Sequence, residues 1–218
     1  MGNEKTRNLL IVGNSGGGKS TLANVLSGIV DSEEYSISEK KNFQKKDFEW
    51  RGTKYRVVDT IVIGEEVTYE KMGELIHLIP EGLSQVLLVI DGKFITKEKV
   101  GLFELFRKLI FEDGIAEYIT IVRTKFSNFK NESECKKDRE DLCKESETIA
   151  KLCKNIVYVD NPPINIFVDD DDDEETIRIN RKRRDQSRKL LLEHLEKACH
   201  KLKTWDNLRV KIDSYFPV

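Results

Sequence analysis

Short, continuously apolar runs alternate along this chain with segments whose apolar residues recur every three or four positions, a pattern that predicts strands interleaved with helices. Leu9-Leu10-Ile11-Val12 predicts a buried strand over 8–13. Leu22, Val25, Leu26 and Ile29 fall at helical spacing and predict a helix over 19–28, closed by Gly28. A polar loop is expected over 30–42, and then two extended runs, 43–50 and 54–59, joined by Arg51-Gly52-Thr53, predict an antiparallel hairpin. A helix near 67–78 is stopped by Pro80 and Gly82. Val86-Leu87-Leu88-Val89-Ile90 makes 85–91 a fully buried strand. Thr96 is placed to cap a helix reaching about 111, with Val100, Phe103, Phe106 and Ile110 on one face. Residues 118–123 form another buried strand, Asn131 with Glu134 starts a charged helix to about 154, and 156–159 is the last strand.

Beyond that strand, 165–175 reads as an acidic loop and about 175–203 as a final helix, with Leu191, Leu195, Ala198 and Leu202 on one stripe. The tail from Trp205 carries Leu208, Val210, Ile212 and Phe216, which are expected to pack back onto the body. No repeat or linker divides the 218 residues, so they read as one domain with its core at about 8–160. This element order predicts an α/β fold: a mostly parallel six-stranded sheet with one antiparallel edge strand and helices on both faces. Ligands on such sheets sit beyond the carboxyl ends of the strands, and each motif below begins there.

Gly13-Asn14-Ser15-Gly16-Gly17-Gly18-Lys19-Ser20 fits the phosphate-binding pattern G-x-x-x-x-G-K-[ST], between a predicted strand and a predicted helix. Glycines let the backbone turn tightly and aim the N–H groups of Asn14, Ser15, Gly16, Gly17 and Gly18 at phosphate oxygens. Lys19 reaches the β- and γ-phosphates, the Ser20 hydroxyl ligates Mg²⁺, and Thr21 completes the set at the positive end of the helix. Val57-Val58-Asp59-Thr60 ends an apolar strand on an aspartate suited to hold the same Mg²⁺ opposite Ser20. A small-molecule kinase would instead run from the helix to a parallel strand and carry an arginine-rich lid. The hairpin and the preceding polar loop have the layout of a nucleotide-sensing switch.

Composition narrows the partners. The formal net charge of −2 leaves no global reason to expect nucleic acid. Four cysteines without a C-x-x-C pair read as reduced thiols, which points to a cytoplasmic protein. His77, His194 and His200 show no metal spacing and read as solvated or satisfied helix residues. No apolar run approaches the ~20 residues that span a bilayer. Met1-Gly2-Asn3-Glu4-Lys5-Thr6 matches the N-myristoylation pattern, with an ordinary hydrophilic start as the alternative; acylation of Gly2 would make the protein peripheral to a membrane. Arg181-Lys182-Arg183-Arg184 reads as an exposed helix face, or else as a nuclear-localisation signal or an anionic-surface patch.

With these residues in hand, the chain resembles the GTPases of immunity-associated proteins, whose G domain is of the avrRpt2-induced-gene type and is related to septins and chloroplast-import GTPases. The likeness rests on Leu10-Ile11-Val12-Gly13 through Thr21-Leu22-Ala23-Asn24, on Val57-Val58-Asp59-Thr60, and on a hydrophobic box followed by charge, Gly82-Leu83-Ser84-Gln85 through Ile95-Thr96-Lys97-Glu98. It implies a P-loop G domain that binds GDP and GTP with Mg²⁺, hydrolyses slowly, and dimerises through its G-domain face under nucleotide control. Several positions depart from the general pattern. Val62 replaces the glycine of D-x-x-G, Ile63 stands where Ras-like enzymes place a water-orienting glutamine, and the switch loop has no threonine, leaving Ser36 or Ser38, with Thr60 and Val62, as switch candidates.

Thr124-Lys125-Phe126-Ser127 lies where [NT]-K-x-D is expected, with Ser127 in place of the aspartate. A carboxylate accepts two hydrogen bonds from guanine, whereas a hydroxyl is a weaker single-atom acceptor, so guanine preference is expected to fall by ~1–3 kcal/mol. Asn161 resembles the asparagine this family places near the base, with a pre-proline turn residue as the alternative. Two other functions stay open: a hydrolysis-deficient scaffold stabilised by nucleotide, and a P-loop NTPase with relaxed base choice.

Overall fold

The computed structural model describes residues 6–29, 42–60, 69–92, 115–145, 147–166, 171–199, 201–206 and 209–210. Its strands are β1 (Arg7–Gly13), β2 (Phe43–Trp50), β3 (Thr53–Thr60), β4 (Gln85–Asp91), β5 (Ile119–Thr124) and β6 (Ile156–Tyr158). Its helices are α1 (Lys19–Ser27), α2 (Tyr69–Leu78), α3 (Glu132–Glu145), α4 (Glu147–Leu152) and α5 (Asp171–Ala198). The predicted helix of 96–111 lies outside the described residues.

The six strands form one sheet in the order β2-β3-β1-β4-β5-β6. Only β2 and β3 pair antiparallel; the other neighbours are parallel. That hairpin turns at Arg51 and Gly52, both at positive φ (48° and 78°), the two-residue turn whose twist matches that of the strands. Among the described residues, α2 lies between β3 and β4, and α3 and α4 between β5 and β6, as crossovers that return the chain to the same end of the sheet.

Alternate strand side chains point to opposite faces, and both faces are covered, which is why these strands read as unbroken apolar runs. Leu10 stands in register between Val58 and Val86, and this face buries Met72 and Leu75 of α2, Leu142 of α3, and Ile149 and Leu152 of α4. Leu9, Ile11, Val57 and Leu87 point the other way, against Leu22, Ala23 and Leu26 of α1 and Leu191, Leu192 and Leu195 of α5. The six-stranded α/β sheet with one antiparallel edge pair and helices on both faces is thus as expected.

Boundaries differ at the two ends of α5. The charged helix expected over 131–154 is described as α3 and α4 on either side of residue 146, which lies outside the described residues. α3 is mostly charged and buries Leu142, and Ile149 and Leu152 of α4 join the same core. Asn131 does cap α3, its Oδ1 accepting from the N–H groups of Ser133 and Glu134 at 3.1 and 3.3 Å. The acidic run is not a loop as far as 175: α5 begins at Asp171, because carboxylates are stabilised at the positive end of a helix. The same helix stops at Ala198 rather than 203, since Leu83 and Lys203 then exchange two backbone hydrogen bonds of 2.8 Å, which need extended chain. Trp205 packs back as expected, buried with its Nε1 donating to the Ile79 carbonyl at 2.6 Å, but Val210 is 70% exposed and does not. Residues 208, 212 and 216 lie outside the described residues. Among the described residues, no helix is long and apolar enough to cross a membrane.

Candidate functional site

The central strand β1 delivers the glycine-rich loop to the carboxyl edge of the sheet. Gly13 ends that strand at φ +151°, so close to β4 that a Cβ there would lie 2.6 Å from the Val89 carbonyl oxygen. The loop closes on itself through the Gly17 N–H to the Asn14 carbonyl (3.2 Å), and Gly18, at φ +90°, leads into α1 in a left-handed conformation. Ser15 and Gly16 face solvent, Asn14 and Thr21 are half-buried, and Ser20 is exposed in the first turn of α1. Lys19 is buried, and its Nζ donates to the Asn14 carbonyl at 3.0 Å. Burial pushes its pKa down, opposed by the charge of Asp59. A cation held on a loop carbonyl at a helix N-terminus is poised to exchange that carbonyl for a phosphate oxygen.

Asp59, 1% exposed at the end of β3, has neither carboxylate oxygen in a hydrogen bond that satisfies it. Burial raises its pKa, opposed by the Ser20 hydroxyl and by the charges of Lys19 and Lys46. Lys46 itself donates to Asn24 Oδ1 of α1. A buried anionic pair of oxygens without partners, next to a serine hydroxyl, is a hard-donor set suited to Mg²⁺.

This orphaned charge has a stability consequence. Because the folded carboxyl keeps its proton to higher pH than the unfolded one, its contribution to stability is fullest at acid pH. It is lost as pH rises through the folded pKa. Asp59→Asn is therefore expected to stabilise the metal- and nucleotide-free protein by about 1–3 kcal/mol at neutral pH, and less at acid pH, while weakening Mg²⁺-dependent nucleotide binding. Thermal melts across pH, with and without Mg²⁺ and nucleotide, check both arms. A destabilised apo variant at neutral pH would sink the assignment.

On the other side of the loop, Thr124 Oγ1 donates to the Gly17 carbonyl and Lys125 Nζ to the Gly16 carbonyl, each at 2.7 Å. Lys125 sits at φ 55° and also pairs with Asp91 at 3.3 Å. The [NT]-K dipeptide is thus strapped to the phosphate loop from the end of β5. Ser127 is exposed, and Asn161 Oδ1 is buried without a hydrogen-bond partner. The Phe126 N–H to the Val159 carbonyl (3.2 Å) ties the segment after β5 to the segment after β6. The Thr60 hydroxyl donates to the Ile11 carbonyl at 2.8 Å, an engagement inside the sheet. Ser36, Ser38, Val62 and Gly2 lie outside the described residues.

The basic run departs from its expected exposure. Arg181 and Lys182 are exposed, but Arg184 is 8% exposed and donates to the Pro162 carbonyl at 2.7 Å, and Arg183 pairs with Asp160. Helical spacing carried the signal: positions 184, 187, 191 and 195 form one stripe, and its buried end was already legible in Leu191 and Leu195. Asp91 and Asp160, partners of Lys125 and Arg183, were not singled out from sequence, since a carboxylate at a strand end has no local mark of its partner. His194 is satisfied, its Nε2 lying 3.0 Å from Thr120 Oγ1, and His77 is exposed. Among the described residues, no three metal-ligating side chains gather elsewhere.

Comparison with known proteins matches residues 7–197 to the AIG1 family. Toc33 from Arabidopsis thaliana, solved in complex with GDP and Mg²⁺, is similar in fold at a TM-score of 0.55 and 15% identity, over 89% of this chain and 86% of that one. A dimerisation-deficient mutant of Toc33 gives 0.55 and 15% over 91% and 87%. LeoA, a bacterial dynamin GTPase from ETEC, gives 0.57 and 14% over 97% of this chain and 39% of its own. No curated protein sequence matches. At such identities the structural likeness speaks for the fold, and the family match speaks for kinship.

Proposed function

The chain belongs to the AIG1 family, and from that membership we propose a guanine-nucleotide switch that binds GDP and GTP with Mg²⁺. The observation that carries this reading is the strap of Thr124 and Lys125 onto the Gly17 and Gly16 carbonyls, which makes phosphate loop and base motif one continuous site. Loop amides and Lys19 hold the phosphates, Ser20 and Asp59 hold the metal, and Thr124, Lys125 and Asn161 border the base. Bound Mg²⁺ supplies positive charge against the β- and γ-phosphates.

Hydrolysis, in this reading, is slow or assisted. Ile63 cannot orient water, so a missing group is supplied across a homodimer formed through the G-domain face under nucleotide control. The neighbouring Toc33 has a mutant described as dimerisation-deficient, which supports asking the same of this chain. On this reading the protein works in the cytoplasm, and acylation of Gly2 would bring it to a membrane.

A competition titration of GDP, GTP and ATP against a fluorescent guanine nucleotide, with Mg²⁺ present, tests the proposal. GDP and GTP binding with ATP ~100-fold weaker, a gap of ~2.7 kcal/mol, is the expected result. Equal competition by ATP sinks the guanine assignment and leaves a relaxed NTPase or a scaffold. In the same assay Ser127→Asp is expected to tighten GDP about 10-fold, or ~1.4 kcal/mol, by adding a charged two-atom acceptor, while ATP gains nothing. An equal gain for both nucleotides would remove Ser127 from the base site.

A further inference from the structure

Four side chains of α5 grip the segment 160–163 that follows β6. Asn180 Nδ2 donates to the Pro163 carbonyl at 2.7 Å and Arg184 Nε to the Pro162 carbonyl at 2.7 Å. Ser187 Oγ lies 2.9 Å from both the Asp160 N–H and its carbonyl, accepting from the first and donating to the second. Arg183 does more: its guanidinium meets Asp160 Oδ2 through Nε at 2.9 Å and Nη2 at 2.5 Å, and Nη2 also donates to the Ser127 carbonyl at 2.7 Å. It lies over the Phe129 ring, 5.8 Å from its centroid. Asn161, in the middle of this gripped segment, keeps a buried carboxamide oxygen without a partner.

We infer that Arg183 is a positioning residue for base selection, bridging the Ser127 turn and the Asn161 segment and so setting the gap between them. The inference rests on the guanine-nucleotide reading above. Its logic follows from Ser127. Without the aspartate, discrimination falls to neutral acceptors, whose hydrogen bonds weaken steeply when distance or angle drifts. The rigid guanidinium fork spans two acceptors on separate segments at once; a lysine ammonium is a single point charge on a flexible stem and does not reproduce that fork.

Competition titrations of GDP, ADP and inorganic pyrophosphate against the same fluorescent nucleotide, with thermal melts, test this on the full chain carrying Arg183→Ala, Arg183→Lys or Asp160→Asn. Arg183→Ala is expected to weaken GDP roughly 10-fold while ADP and pyrophosphate stay within about 2-fold, because the phosphate loop is untouched. Arg183→Lys is expected to melt close to wild type, through its remaining pair with Asp160, yet still to lose the GDP-over-ADP ratio. Asp160→Asn, which leaves the Ser127 contact in place, is expected to lose less of that ratio than Arg183→Ala. Parallel weakening of all three ligands, full recovery of the ratio by lysine, or no change in Arg183→Ala would each overturn the inference alone. A wild type that does not prefer GDP to ADP would overturn the guanine reading and this inference with it.

Discussion

Lys19→Ala is expected to weaken GDP and GTP by two to three orders of magnitude, about 3–4 kcal/mol. Lys19 is buried, already partly desolvated, and rests on the Asn14 carbonyl at 3.0 Å, so little reorganisation precedes its transfer to phosphate. Its removal takes away a cation and leaves phosphate charge facing Asp59 across the same small site. Because the pKa of Lys19 is lowered by burial, its replacement relieves a desolvation cost in the free protein. The variant is therefore expected to fold with near-wild-type stability, and nucleotide titration together with a thermal melt separates the two effects. A loss smaller than about 10-fold would show that the phosphates do not lie on this loop.

Gly13→Ala is expected to destabilise the fold by about 3–5 kcal/mol, through backbone strain and overpacking together. The φ of +151° suits glycine, and the added Cβ would stand 2.6 Å from the Val89 carbonyl and 3.1 Å from its Cβ. Neither neighbour can yield cheaply, because Val89 sits in the central strand β4, paired on both sides. For a protein of this size each kcal/mol moves the melting temperature by roughly 2–4 °C, so a fall on the order of 10 °C is expected in the nucleotide-free protein. A wild-type melt would mean that β1 and β4 are not packed this closely at the loop.

The two predictions differ in how much of each was open to inspection in the amino-acid order. The phosphate loop was, because its chemistry is local: glycines, a lysine and a serine at fixed spacing, between a strand and a helix, carry their own geometry. Asp59 was nearly so, through its place at the end of an apolar strand. Lys125 was named by its motif, but not its partners. Gly16 and Asp91 stand 109 and 34 positions away and come to it only because β4 and β5 are neighbours with β1 beyond. The basic run 181–184 was read as one surface because charge dominates a linear view. In the helix, residues one apart point about 100° from each other, so Arg181 is exposed while Arg184 is buried. Val210 stays exposed for a related reason: apolarity says that a residue gains by burial, and not that a surface is available to it.

Element order, the α/β class, the glycine-rich loop and the strand-end Asp59 are legible in the amino-acid order, because periodicity and glycine chemistry act over a few residues. Packing brings the distant side chains together there: the strap of Thr124 and Lys125 onto the loop, and the grip of α5 on the segment carrying Asn161. Those contacts depend on strand order and on the angle at which α5 crosses the sheet, which are set by packing across the whole molecule and leave no mark at any one position.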